Sequence, residues 1–239
     1  GNGTLTKTED NPSNVFATLN PLIINNFVLP NMTYVATSEG NNTLTGTAST
    51  NNGNCYSTLA ASSGKFYCEV KKTSGSSSYP YVGIMPEEGS TPANSNVYGL
   101  VGYNFTDTVS YETSGNKRIN GSTSSYGASY TTGDIIGIAM DLDNGAVYFS
   151  KNGTFQNSGN PASGASKTGA ALTFTANDKN YFFGFSTFGT SGQIKVNFGN
   201  GYFGTTAVSS AGTNASGNGI FEYDVPTGYT ALSTKGLNL

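Results

Sequence analysis

Residues 133–153 read GDIIGIAMDLDNGAVYFSKNG, and their alternation decides the fold. Ile136, Ile138, Met140 and Leu142 fall on one face of an extended strand, with Val147 and Phe149 on one face of the next. Between them stands Asn144-Gly145, a dipeptide that tolerates the positive φ angles of a type I′ reversal, so the spacing predicts a two-residue hairpin loop. In that register Asp143 opposes Ala146, Leu142 faces Val147 and Met140 faces Phe149, which lands both apolar rows on one side. A slip of one residue would turn one row into water. The other face, Ile135, Gly137, Ala139 and Asp141 with Tyr148 and Ser150, is mixed and small-sided. It is expected to be closely covered or wet, not a second core.

Working outward, 239 residues can bury a full core, and all-β sandwiches of this length form one domain. The expected organisation is a polar connector over residues 1–10 and a single β-sandwich domain over 11–239. Charged residues make up only 10% of the chain, and glycine, serine, threonine and asparagine abound, as in short strands joined by many turns. A net charge of −3 with one arginine, Arg118, leaves no basic surface for phosphates, so nucleic acid is excluded as a partner.

No basic region followed by an apolar run marks a signal peptide. The apolar stretch Val15 to Leu29 is broken by Asn20, Pro21, Asn25 and Asn26, so no membrane insertion is expected. The chain begins at Gly1, not at a methionine, which reads as trimming or excision.

Short turn-bounded strands are expected at Thr33 to Thr50, Tyr81 to Ile84, Val97 to Phe105, Thr108 to Tyr111, Tyr181 to Ser186 and Gln193 to Phe198. Ser114 to Ser125 reads as a polar loop. Cys55 to Leu59 and Lys65 to Lys71 read as a hairpin around Ser62-Ser63-Gly64, which would set Cys55 opposite Cys68. Two readings of these cysteines stay open: a disulfide, or two buried free thiols.

Enzymatic arrangements find little material. Without histidine there is no Ser-His-Asp triad, no Cys-His pair and no imidazole metal ligand. Asp141 with Asp143 and Glu87 with Glu88 are the close carboxylate pairs, and both read better as turn residues than as a glycosidase pair. Asp141-Leu142-Asp143-Asn144-Gly145 misses the calcium-loop spacing, with glycine one place early and Asn152 where a glutamate belongs. Gly199-Asn200-Gly201-Tyr202-Phe203-Gly204 fits a phosphate-binding glycine pattern by letter, but no helix follows it. No cofactor and no metal site is expected.

Binding is what the composition favours. Fifteen tyrosines offer flat apolar faces with polar tips, suited to glycans or polar protein surfaces. The candidate binding residues are Tyr98, Tyr103, Tyr111, Tyr126 and Tyr130, gathered around Lys117 and Arg118. Two readings stand: strand residues packing the sandwich edge, or a recognition platform at loop tips.

The same residues resemble a known family. Gly133-Asp134-Ile135-Ile136-Gly137, Asp141-Leu142-Asp143-Asn144-Gly145 and Phe149-Ser150-Lys151-Asn152-Gly153 are similar to the GDxIGxxxDxxxGxxxFxxNG signature of SPRY (B30.2-like) domains. Gly64-Lys65-Phe66-Tyr67-Cys68-Glu69-Val70 resembles the family's GxxYWEV strand, with Cys68 in the tryptophan's place; Val82-Gly83-Ile84 and Val196-Asn197-Phe198-Gly199 match further. The resemblance implies an all-β, bent antiparallel β-sandwich of SPRY or concanavalin-like type with little helix, serving as a non-catalytic binding domain.

The flanks, Asp10 to Leu22 and Val225 to Lys235, resemble those of SPRY-containing bacteriophage structural proteins. That likeness implies a virion surface component, for adhesion or for capsid or tail decoration. Its partners would be other virion proteins and host-surface glycan or protein, with a homo-oligomer following from virion symmetry. The alternative is an intracellular protein-recognition SPRY module of a larger adaptor. A glycan depolymerase is the third reading.

Overall fold

The two strands of the 133–153 stretch pair antiparallel, Ile135–Asp141 against Ala146–Lys151, within a large sheet. The coordinates are a computed structural model that describes residues 13–23, 34–47, 52–75, 79–90 and 100–238. In chain order the strands are β1 (Val35–Ser38), β2 (Thr43–Gly46), β3 (Asn52–Tyr56), β4 (Lys65–Ser74), β5 (Tyr81–Pro86), β6 (Val109–Glu112), β7 (Asn116–Ile119), β8 (Ser122–Ser125), β9 (Ile135–Asp141) and β10 (Ala146–Lys151). They continue as β11 (Thr154–Phe155), β12 (Leu172–Thr173), β13 (Tyr181–Phe188), β14 (Gln193–Asn197), β15 (Tyr202–Phe203), β16 (Thr206–Ala207) and β17 (Thr230–Ala231). Helix is confined to short 3-10 turns among the described residues.

A nine-stranded sheet runs β1-β2-β14-β4-β9-β10-β11, with β12 on β10 and β17 parallel to β4. A six-stranded sheet runs β3-β13-β5-β6-β7-β8, and β15 with β16 forms a small ribbon. Between the two large sheets Phe66, Cys68, Val70, Ile136, Ile138, Met140, Val147 and Phe149 meet Cys55, Val82, Ile84, Val109, Tyr111, Phe183 and Phe185 in one buried cluster. Burying each large apolar side chain contributes about 1.5–3 kcal/mol, so this layer dominates the stability of the sandwich.

The expected hairpin register is displaced by two residues. Ala146 opposes Asp141, Val147 opposes Met140 and Phe149 opposes Ile138. Four residues, 142–145, make the loop because Asp141 stays in the strand and caps it: its carboxylate accepts from Asn144 N at 3.0 Å and Asn144 Nδ2 at 2.8 Å. Only Gly145 there takes a positive φ, 67°. A displacement of two keeps every side chain on its expected face, so the apolar rows still point into the core.

The tight reversal occurs elsewhere. Ser114 to Ser125, expected as a loop, holds the β7–β8 hairpin, where Ile119 opposes Ser122. Asn120 and Gly121 close it with φ of 48° and 78°, the double-positive geometry of a type I′ turn.

Three further expectations are corrected. The hairpin of Cys55 to Leu59 with Lys65 to Lys71 does not form: β3 pairs with β13 and β4 with β14 and β9, in different sheets. Cys55 and Cys68 are accordingly both buried and free, since they enter the core from opposite layers. Residues 100–105 are irregular and not a strand. The outward face of the central hairpin is a second apolar cluster, in which Ala139, Ala146 and Tyr148 pack with Tyr67 under Phe16, Phe221, Val225, Tyr229 and Ala231 from the two ends of the chain.

Those ends clasp each other there. Ala17 N donates to Leu232 O and Thr234 N to Val15 O, each at 2.9 Å, around an antiparallel bridge between Phe16 and Ser233. Glu69, wholly buried on β4, accepts the backbone N–H of Glu222 at 2.8 Å and of Tyr223 at 2.9 Å, which pins the 219–231 segment to the sheet. The 1–10 connector, residues 24–33 and residues 97–99 lie outside the described residues. No helix among the described residues is long and apolar enough to cross a membrane.

Candidate functional site

Alternation within the six-stranded sheet sends one row of each strand away from the core. On β5, Val82 and Ile84 point inward, so Tyr81 and Met85 point outward. On β13, Phe183 and Phe185 point inward, leaving Phe182, Ser186 and Phe188 outward. Ser110 and Glu112 of β6 and Arg118 of β7 join them through the pairs Tyr81–Glu112 and Ser110–Arg118.

The segment 100–108 lies over this outer face. Val101 packs with Tyr56 and Met85, and Val101 N donates to Ser186 Oγ at 3.3 Å. Gly102 takes φ +88°, and a Cβ there would run into Ser110 Oγ and Arg118 O. That close approach, fixed by Gly102 N on Thr108 Oγ1 at 3.0 Å and Gly121 N on Gly102 O at 2.8 Å, sets Tyr103 beside Arg118.

The result is a ladder of rings capped by a guanidinium. Phe188 stacks on Tyr79 with centroids 5.3 Å apart, Tyr79 on Tyr81 at 4.6 Å, and Tyr81 on Tyr103 at 6.5 Å. The Arg118 guanidinium carbon lies 5.5 Å from the Tyr81 centroid and 4.8 Å from that of Tyr103. Arg118 Nε donates to Glu112 Oε1 at 2.6 Å and Nη1 to Gly121 O at 3.0 Å, so its plane is fixed by bonds at its edge. Tyr79, Tyr103, Phe188 and Arg118 are half-buried and Tyr81 is buried. Burial pushes the Tyr81 phenol up to about 12, with Tyr79 adding to the shift, and raises Tyr79 and Tyr103 as well. These hydroxyls therefore stay protonated at neutral pH and can donate.

On the same face the Asn52 and Asn54 side-chain oxygens and Ser110 Oγ are buried with no hydrogen-bond partner among the described residues. Such groups cost free energy, and they concentrate unmet polar capacity on this side of the sheet.

The sequence-expected residues divide. Tyr103 and Arg118 are on this face. Tyr98 lies outside the described residues. Tyr111, Tyr126 and Tyr130 are buried in the sandwich core and are packing residues: Tyr111 stacks on Phe149 at 5.3 Å, and Tyr126 meets both edge-on. Their hydroxyls are spent on backbone carbonyls, Tyr111 on Ala128 and Tyr130 on Pro80. Lys117 also faces inward, with Nζ on Ala171 O at 2.7 Å and above the Tyr126 ring. Tyr79, Tyr81 and Phe188 were not anticipated, although the alternation of Tyr81 against Val82 and Ile84 carried the signal for one of them.

The carboxylates singled out in the sequence are held in structural contacts. Among the described residues no cluster of three or more metal-ligating side chains exists. Asp141 is wholly buried and paired with Lys65 at 3.0 Å, while Asp143 Oδ1 accepts from Gly64 N at 2.7 Å. Glu87 binds Asn180 and Glu88 binds Lys179.

Residues 65–201 match the SPRY domain family. No curated protein matches the chain in sequence. Among solved structures, the SPRY domain of human HERC1 superposes with a TM-score of 0.55 at 16% identity, over 74% of this chain and 96% of that one. The stonustoxin structure gives 0.52 at 19% identity over 76% of this chain, which spans 27% of the stonustoxin chain. At these identities the likeness is one of fold.

Proposed function

Because the chain belongs to the SPRY domain family, we propose that it is a non-catalytic recognition module that binds a polar protein or glycan surface through the outer face of its six-stranded sheet. The observation that carries this reading is the ladder from Phe188 through Tyr79, Tyr81 and Tyr103 to Arg118, three half-buried rings around the buried Tyr81 with a fixed guanidinium outside the core. Tyrosine and arginine concentrate binding energy at interfaces because they bring large rigid area with few rotamers to immobilise.

Its place in this reading is the surface of a bacteriophage particle, in adhesion or in capsid or tail decoration. The support is the likeness of the flanking stretches, Asp10 to Leu22 and Val225 to Lys235, to those of phage structural proteins. Mass spectrometry of purified particles tests the location: this chain among the particle proteins supports it, and its absence overturns it. Immobilised wild-type chain capturing host envelopes, with capture lost in Tyr103→Ala, supports the outer face as the binding surface; equal capture overturns that. A full reading frame carrying adaptor domains would favour the intracellular module instead.

A further inference from the structure

A cavity of about 470 Å3 opens at the end of the nine-stranded sheet where β4 begins, on a different part of the fold from the ring ladder. Its wall comes from five separate stretches: the turn 63–66, Asp143 of the β9–β10 loop, 215–216, 228–230 and 236–237. The volume falls within the range of small-molecule sites, roughly 300–1,000 Å3.

The wall is held by bonds that do not depend on a guest. Gly64 N donates to Asp143 Oδ1 at 2.7 Å and Leu142 N to Gly64 O at 2.9 Å. Behind the opposite side Asn218 Nδ2 donates to Thr230 Oγ1 at 2.8 Å, and Asn218 Oδ1 accepts from Asn14 Nδ2 at 2.8 Å. A site fixed in this way loses little freedom when it is filled.

Its chemistry is that of a neutral, hydroxyl-bearing guest. Asp143 is exposed, and its second oxygen, Oδ2, accepts no hydrogen bond among the described residues; the Ser63 hydroxyl, also exposed, has no partner there either. Lys65 stands in the same wall, but its ammonium is held 3.0 Å from the buried Asp141 carboxylate. An anion would meet Asp143, and a bare cation would meet Lys65 with no second free carboxylate to replace its water. A polyol meets neither penalty. Leu237, 40% exposed, supplies an apolar contact, and Gly228 leaves open space where a side chain would stand.

We infer that this cavity binds one neutral pyranose residue, as at the end of a glycan, with its hydroxyls on Asp143 Oδ2 and Ser63 and its C–H face against Leu237. The inference stands independently of the outer-face reading. The test is saturation-transfer NMR on the full chain with D-glucose, D-galactose and D-mannose, each added alone. At least one is expected to show saturable transfer. Losing the charge-assisted bond in Asp143→Ala should weaken it by about tenfold to a hundredfold. Leu237→Trp, an exposed substitution that leaves the wall's hydrogen bonds in place, should obstruct the mouth and abolish transfer, while Asp178→Ala, at an exposed carboxylate outside the cavity's wall, should leave it unchanged. Transfer from none of the three sugars, or transfer unaltered in both Asp143→Ala and Leu237→Trp, overturns the site.

Discussion

Arg118 lies over Tyr103, its guanidinium carbon 4.8 Å from the ring centroid, while Glu112 holds its Nε at 2.6 Å. The pair joins two jobs: stabilising the end of the six-stranded sheet and presenting a planar cation at its outer face. Arg118→Ala leaves the Glu112 side chain, 9% exposed, without its partner. The expected cost is about 2–3 kcal/mol, at the low end for a buried pair because Arg118 keeps contact with water. Arg118→Lys should recover part of that cost through its charge but not the stacking. Denaturant midpoints of the wild type and the two variants check this: a lysine midpoint equal to that of the wild type would refute the stacking, and one equal to that of alanine would refute the contribution of the charge.

Tyr103 and Tyr111 differ in burial, and so in what their truncation should cost. Tyr111 is fully buried against Phe149, so Tyr111→Ala is expected to cost about 3–5 kcal/mol, as large core truncations do. Tyr103 is half-buried on the outer face, and Tyr103→Ala should cost only about 1 kcal/mol. Thermal unfolding of both variants distinguishes them; similar losses would mean that Tyr103 is core.

Glu69 gives stability a pH dependence. Burial pushes its carboxyl up to about 7 from 4.5, against the pull of the Glu222 and Tyr223 N–H groups and the Tyr67 hydroxyl. The folded chain therefore holds a proton between these limits that the unfolded chain releases. Stability is full below about pH 4.5, falls as pH rises to about 7 and then levels off, by about 3 kcal/mol at most. Because the chain has no histidine, little else titrates in that window. Unfolding free energies from pH 5 to 8 should show this slope in the wild type and not in Glu69→Gln; parallel profiles would remove Glu69 as the cause.

Both thiols should be free and slow to react. Burial raises Cys55 to about 12 and Cys68 well above its ordinary value, so neither forms thiolate at neutral pH. Iodoacetamide is expected to leave the native chain unmodified and to label both cysteines once it is denatured without reductant. An unlabelled pair after denaturation would indicate a disulfide.

What could be read from the sequence was periodicity. The alternation through Ile136, Ile138, Met140, Val147 and Phe149 identified the inward face of β9 and β10, because a strand's two faces differ by a single step. Loop length was less legible: whether Asn144-Gly145 makes a two-residue turn depends on Asp141, which stays in the strand paired with Lys65 from β4. The Asn120-Gly121 reversal went unread because residues 122–125 carry no apolar row to announce a strand. The same limit applies to the site. Tyr81 was legible from its phase against Val82 and Ile84, but Tyr103 sits in irregular chain and is placed by Gly102 against β6 and β7. Tyr111, Tyr126 and Tyr130 could be read as packing or as a platform, and the contacts of Tyr111 and Tyr126 with Phe149 and of Tyr130 with Tyr111 reveal which way they point.

The clasp between residues 15–17 and 232–234 bears on how the molecule responds to force. The two segments run antiparallel and leave the bridge side by side, so a pull on both ends opens Thr234–Val15 first and Ala17–Leu232 next. Tension is met one bond at a time, as in a zipper, and is spent peeling the outermost layer before it loads the central strands.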